Sequence, residues 1–298
     1  MDRIYLGFNL FYDVYNKGKR TIYAPSKELK DLQRQILNFI KTKYKVKFSI
    51  KDTAKVHCNQ KYILKLDIRK FYESVSKEQI KGVISDIRKN IEFPEQYTKK
   101  LLYQLMTVED KLPTGAATSC HIANLAFTKT KIDEKLKEFC EQNELKYSRY
   151  MDDMFFSGAN KINLKKAEKY AIGLLKEAGF NINHEKTQYI SDNKRQEILG
   201  LVVNNEENAV IAYDKKYQYR SMFFNYLKAV YLEERLGINA LFKKKIGYRE
   251  VTGHLSYIKS SDMKFYETMK KYIKSKINKF GIYNNDEIKR LRKVINKG

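Results

Sequence analysis

Two aspartates side by side, Asp152-Asp153, stand between two short aromatic segments, and that arrangement constrains the fold more than any other feature of the chain. The flanks, Tyr147-Ser148-Arg149-Tyr150-Met151 and Met154-Phe155-Phe156, have the aromatic and apolar make-up of half-buried strands, and Gly158 closes the unit. The whole reads as a β-hairpin with both carboxylates at its tip. Aspartate tolerates the left-handed backbone that a two-residue hairpin turn demands, so ordinary turn chemistry is one reading. Adjacent carboxylates repel, however, and Asn-Gly or Asp-Gly turns a chain at lower cost. A divalent cation shared between carboxylates removes the repulsion, which is the other reading. From this stretch alone the two weigh the same.

A third carboxylate tips the balance. Lys61–Ile68 alternates and then becomes continuously apolar through Ile63, Leu64, Leu66 and Ile68, as a central strand does, yet it carries Asp67 near its end. A charge at a buried strand end is costly without a partner, so Asp67 is expected to face whatever Asp152 and Asp153 bind. Around this pair of elements the order is strand, helices, hairpin, helix (Leu164–Ala178, ending at Gly179), strand. That is a βαββαβ-like α+β sheet with helices on one face. Leu112-Pro113-Thr114-Gly115-Ala116-Ala117-Thr118-Ser119 is a small-residue loop feeding a helix expected over roughly 120–141, where a ligand can approach the backbone closely. Near the N-terminus, strand-like pieces flank the basic turn Asn16-Lys17-Gly18-Lys19-Arg20, whose cations could grip phosphates. Ser26 caps a helix with Leu29, Leu32, Ile36, Leu37 and Ile40 inward.

From Tyr213 onward the chain reads as nearly all helix, with 21 Lys/Arg against 8 Asp/Glu in residues 213–298, a net of +13. The boundary expected from this shift separates 1–212 from 213–298. The total charge of +24 (59 basic, 35 acidic, 298 residues) exceeds what solubility needs and predicts a polyanionic partner. With no apolar run of about 18 residues and no signal-peptide pattern, nucleic acid in the cytoplasm is expected rather than a membrane. Lys215, Lys216, Lys243, Lys244, Lys245 and His254 are the candidate nucleic-acid contacts in the basic segment, with His57 further upstream. His57 taken alone reads more naturally as a hydrogen-bonded structural group. Three cysteines without metal-ligand spacing (Cys58, Cys120, Cys140) read as reduced thiols.

One strand carboxylate and two hairpin carboxylates suit a two-metal phosphoryl-transfer site, in which two Mg²⁺ about 4 Å apart are held by oxygens from separate elements. Joined to a basic helical segment able to hold a duplex, that describes a nucleic-acid polymerase.

Here a family resemblance becomes specific. Tyr150-Met151-Asp152-Asp153 resembles the YxDD motif of reverse transcriptases, in a Tyr147-Ser148-Arg149-Tyr150 context typical of the bacterial, retron-type enzymes. Leu66-Asp67-Ile68-Arg69-Lys70-Phe71-Tyr72-Glu73-Ser74 resembles the motif carrying the first aspartate. Leu112–Ser119 followed by Ala123-Asn124-Leu125 is similar to the family's LPQGxPxS loop and helix. Gly179-Phe180 through Lys186-Thr187, Leu199-Gly200-Leu201-Val202-Val203-Asn204, and Gly253-His254-Leu255-Ser256-Tyr257-Ile258 resemble the triphosphate-lysine, primer-grip and thumb motifs. Each match is weak alone; six in the right order are strong.

The resemblance implies a right-hand polymerase, with interleaved fingers and palm over 1–212 and a helical thumb over 213–298. It implies an RNA-directed DNA polymerase using two Mg²⁺ and deoxynucleoside triphosphates to copy a dedicated structured noncoding RNA into DNA, with an effector protein in antiphage defence. Asp67, Asp152 and Asp153 would be the metal ligands, with the Ile68 carbonyl. Tyr72 would be the gate against a ribose 2′-hydroxyl. Arg20, with Lys17 or Lys19, would contact the triphosphate near Thr114 and Gly115, and Lys186 would serve the leaving pyrophosphate. Departures leave alternatives open: Thr114 stands where the family has Gln, Ala117 and Cys120 where prolines are common, and Thr53-Ala54-Lys55-Val56-His57 lacks the Asn of the retron NAxxH element. A non-retron defence-associated reverse transcriptase making repetitive or untemplated DNA is the main alternative. An RNA-directed RNA polymerase and a non-catalytic RNA-binding scaffold are the remaining ones.

Overall fold

The computed structural model describes residues 2–7, 9–18, 20–44, 49–205, 208–236 and 246–296. The chain forms two compact units: one of residues 1–49 and 60–191, the other of 50–59 and 192–298.

The first unit opens with an antiparallel meander, β1 (Asp2–Gly7), β2 (Leu10–Lys17) and β3 (Arg20–Pro25). The β2–β3 turn is the basic one read from the sequence, and Lys17 pairs with Arg20 across it. Ser26 then caps α1 (Lys27–Lys43), its hydroxyl accepting from the Leu29 amide. The helix buries Leu29, Ile36, Leu37 and Ile40 as its spacing requires, and with them Gln33. That amide is buried because it is satisfied: it donates to the Tyr12 hydroxyl at 2.6 Å and the Leu105 carbonyl at 2.8 Å, and accepts from the Ala117 amide.

After α2 (Ile50–Lys55), which belongs to the second unit, comes β4 (Tyr62–Asp67), followed by α3 (Phe71–Ser74), α4 (Lys77–Asn90), α5 (Lys99–Met106), α6 (Ser119–Lys129) and α7 (Ile132–Gln142). The single helix expected near 120–141 is two. The Thr128 and Thr130 hydroxyls bond back to the Asn124 and Phe127 carbonyls, and Lys131 turns left-handed at φ 58°, so the chain breaks there. The hairpin is β5 (Lys146–Tyr150) and β6 (Asp153–Gly158); α8 (Lys161–Glu177) and β7 (Gln188–Ser191) complete the unit. The sheet order β5-β6-β4-β7, antiparallel throughout, is the βαββαβ arrangement expected. Strands β4 and β6 are its centre, and β6 is buried along Met154–Gly158. Leu64, Leu66, Met154 and Phe156 join Phe71, Phe127, Phe180 and the inner faces of α4, α6 and α8 in one core.

The second unit holds α2, a small sheet of β8 (Glu197–Ile198), β9 (Leu201–Val202) and β10 (Val210–Ile211), and helices α9 (Tyr213–Leu236), α10 (Tyr248–Ser261), α11 (Met263–Phe280) and α12 (Asp286–Asn296). The helical character from Tyr213 is as the composition indicates. Residues 237–245 of this segment lie outside the described residues. No helix among the described residues is long and apolar enough to cross a membrane.

Candidate active site

The site is built at one end of β4 and β6. Tyr150 pairs with Asp153 across the hairpin, so the two-residue turn is Met151-Asp152 and Asp153 is already strand. The left-handed position falls on Met151, at φ 57°, and not on an aspartate as turn chemistry alone would have it. Arg149 makes this possible. Its Nη1 donates to the Met151 carbonyl at 2.9 Å, while Nε and Nη2 fork onto Asp133 of α7 at 2.9 and 2.6 Å. The same Asp133 accepts from the Tyr147 hydroxyl at 2.7 Å, and the guanidinium lies 4.1 Å from the Phe127 ring centre. A buried arginine, anchored on the partly exposed Asp133, thus holds the backbone of the aspartate turn.

Asp67 is opposite Asp153 in the β4–β6 ladder. Its strand end is stapled on both sides: the Ile68 amide donates to the Asp152 carbonyl at 2.9 Å, and the Asn183 amide donates to the Asp67 carbonyl at 2.7 Å. The 3₁₀ turn His184–Lys186 that follows brings the Lys186 ammonium to 2.9 Å from both Asp67 oxygens. Asp153 is held at 3.0 Å by Lys65 Nζ. Burial, then the charges of Asp153 and Asp67, push the Asp152 carboxyl above the usual aspartate range, against the lowering effect of its backbone hydrogen bond.

A cavity of about 770 Å³ in the first unit has Asp67, Ile68 and Asp152 in its wall together with Arg20, Tyr72, Thr114 and Lys186. Six of the sequence candidates and Ile68 therefore share one space. Tyr72 stands half-buried there; burial first, then neighbouring Cys120 and Asp152, push its phenol up to about 12, so it is a neutral ring and hydroxyl. Arg69, Lys70 and Lys111 also line the cavity and were not singled out, although Arg69 and Lys70 directly follow Asp67 in its motif.

Other candidates fall elsewhere. Gly115 is not in the cavity wall. It has φ +118°, and a Cβ there would stand 2.5 Å from the Tyr23 carbonyl oxygen, so the close approach read from the sequence is that of β3 and not of a ligand. The Thr114 carbonyl accepts from the Tyr23 amide at 2.8 Å in the same junction. Gly115→Ala is expected to lower the melting temperature by several degrees, because a rigid strand carbonyl must move; a melt within about 1 °C of wild type would refute this. His57 is fully buried in the second unit, the placement expected of a structural group and not of an exposed nucleic-acid contact. Lys216 is likewise engaged internally, 2.8 Å from the buried Asp262. Lys215 pairs with Glu197 at 2.9 Å, and His254 stands partly exposed beside Tyr219. Lys19, Lys243, Lys244 and Lys245 lie outside the described residues.

Hard oxygen donors gathered against ammonium groups suit a hard divalent cation. Among the described residues, though, no three Asp, Glu, His or Cys side chains form a ready-made metal cage. Asp67 and Asp152 face the cavity, while Asp153 is turned to Lys65 and is not part of its wall.

Comparison with known proteins defines the class. The family profile described as reverse transcriptase (RNA-dependent DNA polymerase) matches residues 13–203, more than half of the chain. The chain belongs to the reverse transcriptase family and is an RNA-directed DNA polymerase. Its relatives are of the bacterial retron type: it is 29% identical over 284 residues to the retron Ec86 reverse transcriptase of Escherichia coli, covering 91% of this chain and 82% of that one. To the retron Ec83 reverse transcriptase of the same species it is 28% identical over 243 residues, covering 72% and 75%. Among solved structures, apo telomerase from Candida tropicalis is similar at 14% identity and a TM-score of 0.48, over 97% of this chain and 61% of that one, a likeness too loose to carry a conclusion.

Proposed function

We propose that the chain copies a dedicated structured noncoding RNA into DNA in a retron, with residues 1–212 acting as fingers and palm and 213–298 as thumb. The observation that carries the reading is the meeting of Asp67 and Asp152 with Arg20, Tyr72 and Lys186 around one cavity in a chain of the reverse transcriptase family. Asp67, Asp152, Asp153 and the Ile68 carbonyl would hold two Mg²⁺ ions. When bound, such ions supply Lewis-acid stabilisation of the attacking 3′-hydroxyl and of the triphosphate. Arg20 binds the triphosphate of the incoming nucleotide, and Lys186, drawn from Asp67 as the substrate enters, neutralises or protonates the leaving pyrophosphate. Tyr72 fills the space of a ribose 2′-hydroxyl. The basic second unit holds the template and the growing DNA, and the product joins an effector protein of an antiphage system in the cytoplasm.

The test is to sequence nucleic acid co-purified with the protein from its native locus, beside Asp152→Ala, Asp153→Ala. One DNA species attached to one RNA, missing from the variant, is the expected result. Repetitive or template-free DNA would transfer the chain to the non-retron defence class, and identical RNA without DNA in both samples would refute the polymerase reading of the site. For the gate, Tyr72→Ala is expected to raise ribonucleotide incorporation relative to deoxynucleotide by about 10²-fold, measured by single-nucleotide extension; an unchanged ratio would remove Tyr72 from that role.

A further inference from the structure

The second aspartate of the hairpin has a partner that its motif does not call for. Lys65 lies on β4 two residues before Asp67, so period-two alternation puts both side chains on one face of the sheet. Asp153 is directly opposite Asp67 in the ladder, and Lys65, paired with Phe155, sits diagonally to it on that same face. Lys65 Nζ reaches Asp153 Oδ1 at 3.0 Å and lies 5.7 Å from the Phe155 ring centre. The two side chains are 30% and 21% exposed. An exposed pair of this kind contributes little; here both side chains are partly buried, where a unit charge is felt more strongly than at an open surface. Lys65, like Asp153, is outside the cavity wall.

We propose that Lys65 is a built-in counter-ion that holds Asp153 back from the other two carboxylates and thereby weakens the hold of the nucleotide-free enzyme on divalent cations. The inference rests on the reading of Asp67 and Asp152 as cation ligands. With Lys186 on Asp67 and Lys65 on Asp153, three carboxylates face two ammonium groups, leaving a net of one negative charge. Lys186 stands at the cavity, where an entering triphosphate can draw it off. Lys65 is fixed within the sheet and stays. Lys65 is therefore a positioning residue whose charge sets how much of the site's affinity for a cation must come from the substrate. Two features separate this role from a merely structural one. It predicts a gain of cation affinity when the lysine is removed, and it predicts that most of the gain runs through Asp153.

The probe is Mn²⁺ without nucleotide, titrated into the full-length chain and followed by electron paramagnetic resonance. Lys65→Met is expected to tighten Mn²⁺ binding about tenfold, the size expected for deleting one unit charge a few ångströms from a half-buried carboxylate. Lys65→Arg, which keeps the charge, should stay within about twofold of wild type. Asp153→Asn, which removes one negative charge and one proposed ligand, is expected to weaken Mn²⁺ binding by itself and to remove most of the gain that Lys65→Met gives, a coupling that a double-mutant cycle isolates. Should Lys65→Met lose its native circular dichroism, Lys65→Gln takes its place under the same criteria. Binding that depends on Asp152 yet is unmoved by loss of the Lys65 charge would overturn the inference and leave the cation site standing. Binding that Asp152→Asn does not weaken in any background would overturn the cation-site reading, and the inference with it.

Discussion

Asp152→Asn is expected to abolish DNA synthesis, by about 10³-fold or more, while raising the melting temperature of the cation-free protein at neutral pH by about 2 °C. Both halves follow from the turn that presents this side chain. Its carboxyl is raised above the ordinary range by burial and then by the charges of Asp153 and Asp67. A group whose folded-state value is raised holds its proton more tightly folded than unfolded. The folded state is therefore favoured below the ordinary carboxylate range near 4, and that advantage is lost as pH climbs through the raised value. At neutral pH the ionised Asp152 is a cost that asparagine removes. The two melting temperatures should converge as pH falls toward 4. A variant that melts lower than wild type at neutral pH would show that the carboxylates stabilise the fold, contrary to this account.

The second large effect is expected at Arg149, whose side chain is 7% exposed. Arg149→Met removes the buried member of the pair, leaving Asp133, 23% exposed and still accepting from the Tyr147 hydroxyl, without its fork and the Met151 carbonyl without its donor. Losing charge-assisted hydrogen bonds of this kind costs about 2–3 kcal/mol, which in a chain of this length is on the order of 5 °C in melting temperature. Polymerase activity should fall further than the unfolded fraction explains, since the left-handed Met151 is released. Arg149→Lys keeps the charge but not the fork, and should recover less than half of either loss. Thermal melts beside extension assays at a temperature where each variant is folded measure the two effects separately. Equal activity per folded molecule in Arg149→Met would show that the turn holds its shape unaided.

The centre of the site was legible because it violates a local rule. A carboxylate at the end of an apolar strand, and two more between aromatic strands, are costly enough to demand a partner; the register that sets Asp67 opposite Asp153 came only with the sheet. The βαββαβ succession of elements followed from the apolar periodicities, whereas the strand order β5-β6-β4-β7 did not. The brace was not legible, because the left-handed residue of the turn is chosen by Arg149 and Asp133, which lie sixteen residues apart and meet only once α7 packs on β5. Gly115 carried a true signal of close approach with the wrong object, since a sequence does not tell a ligand from a neighbouring strand. His57 shows the reverse: its apolar surroundings Val56 and Cys58 were visible, and its full burial agrees with them rather than with the motif it resembles. Lys65 could have been read from its spacing to Asp67, but a lysine at the half-buried position of a strand is ordinarily a solvated one.

The assignment of residues 50–59 to the second unit makes the chain pass between units three times, at 49/50, 59/60 and 191/192. Within that unit the short segment is anchored by the Asn59 amide on the Val203 carbonyl at 3.0 Å, and it carries the buried His57 and Cys58. On the ribosome these ten residues are made more than a hundred positions before the helices that receive them. They must wait, with apolar side chains uncovered, until synthesis is well past the aspartate hairpin. A fragment beginning at residue 192 would lack them altogether, so expressing that basic C-terminal part by itself should yield an aggregation-prone product, and supplying residues 50–59 as a peptide or a graft is the natural remedy.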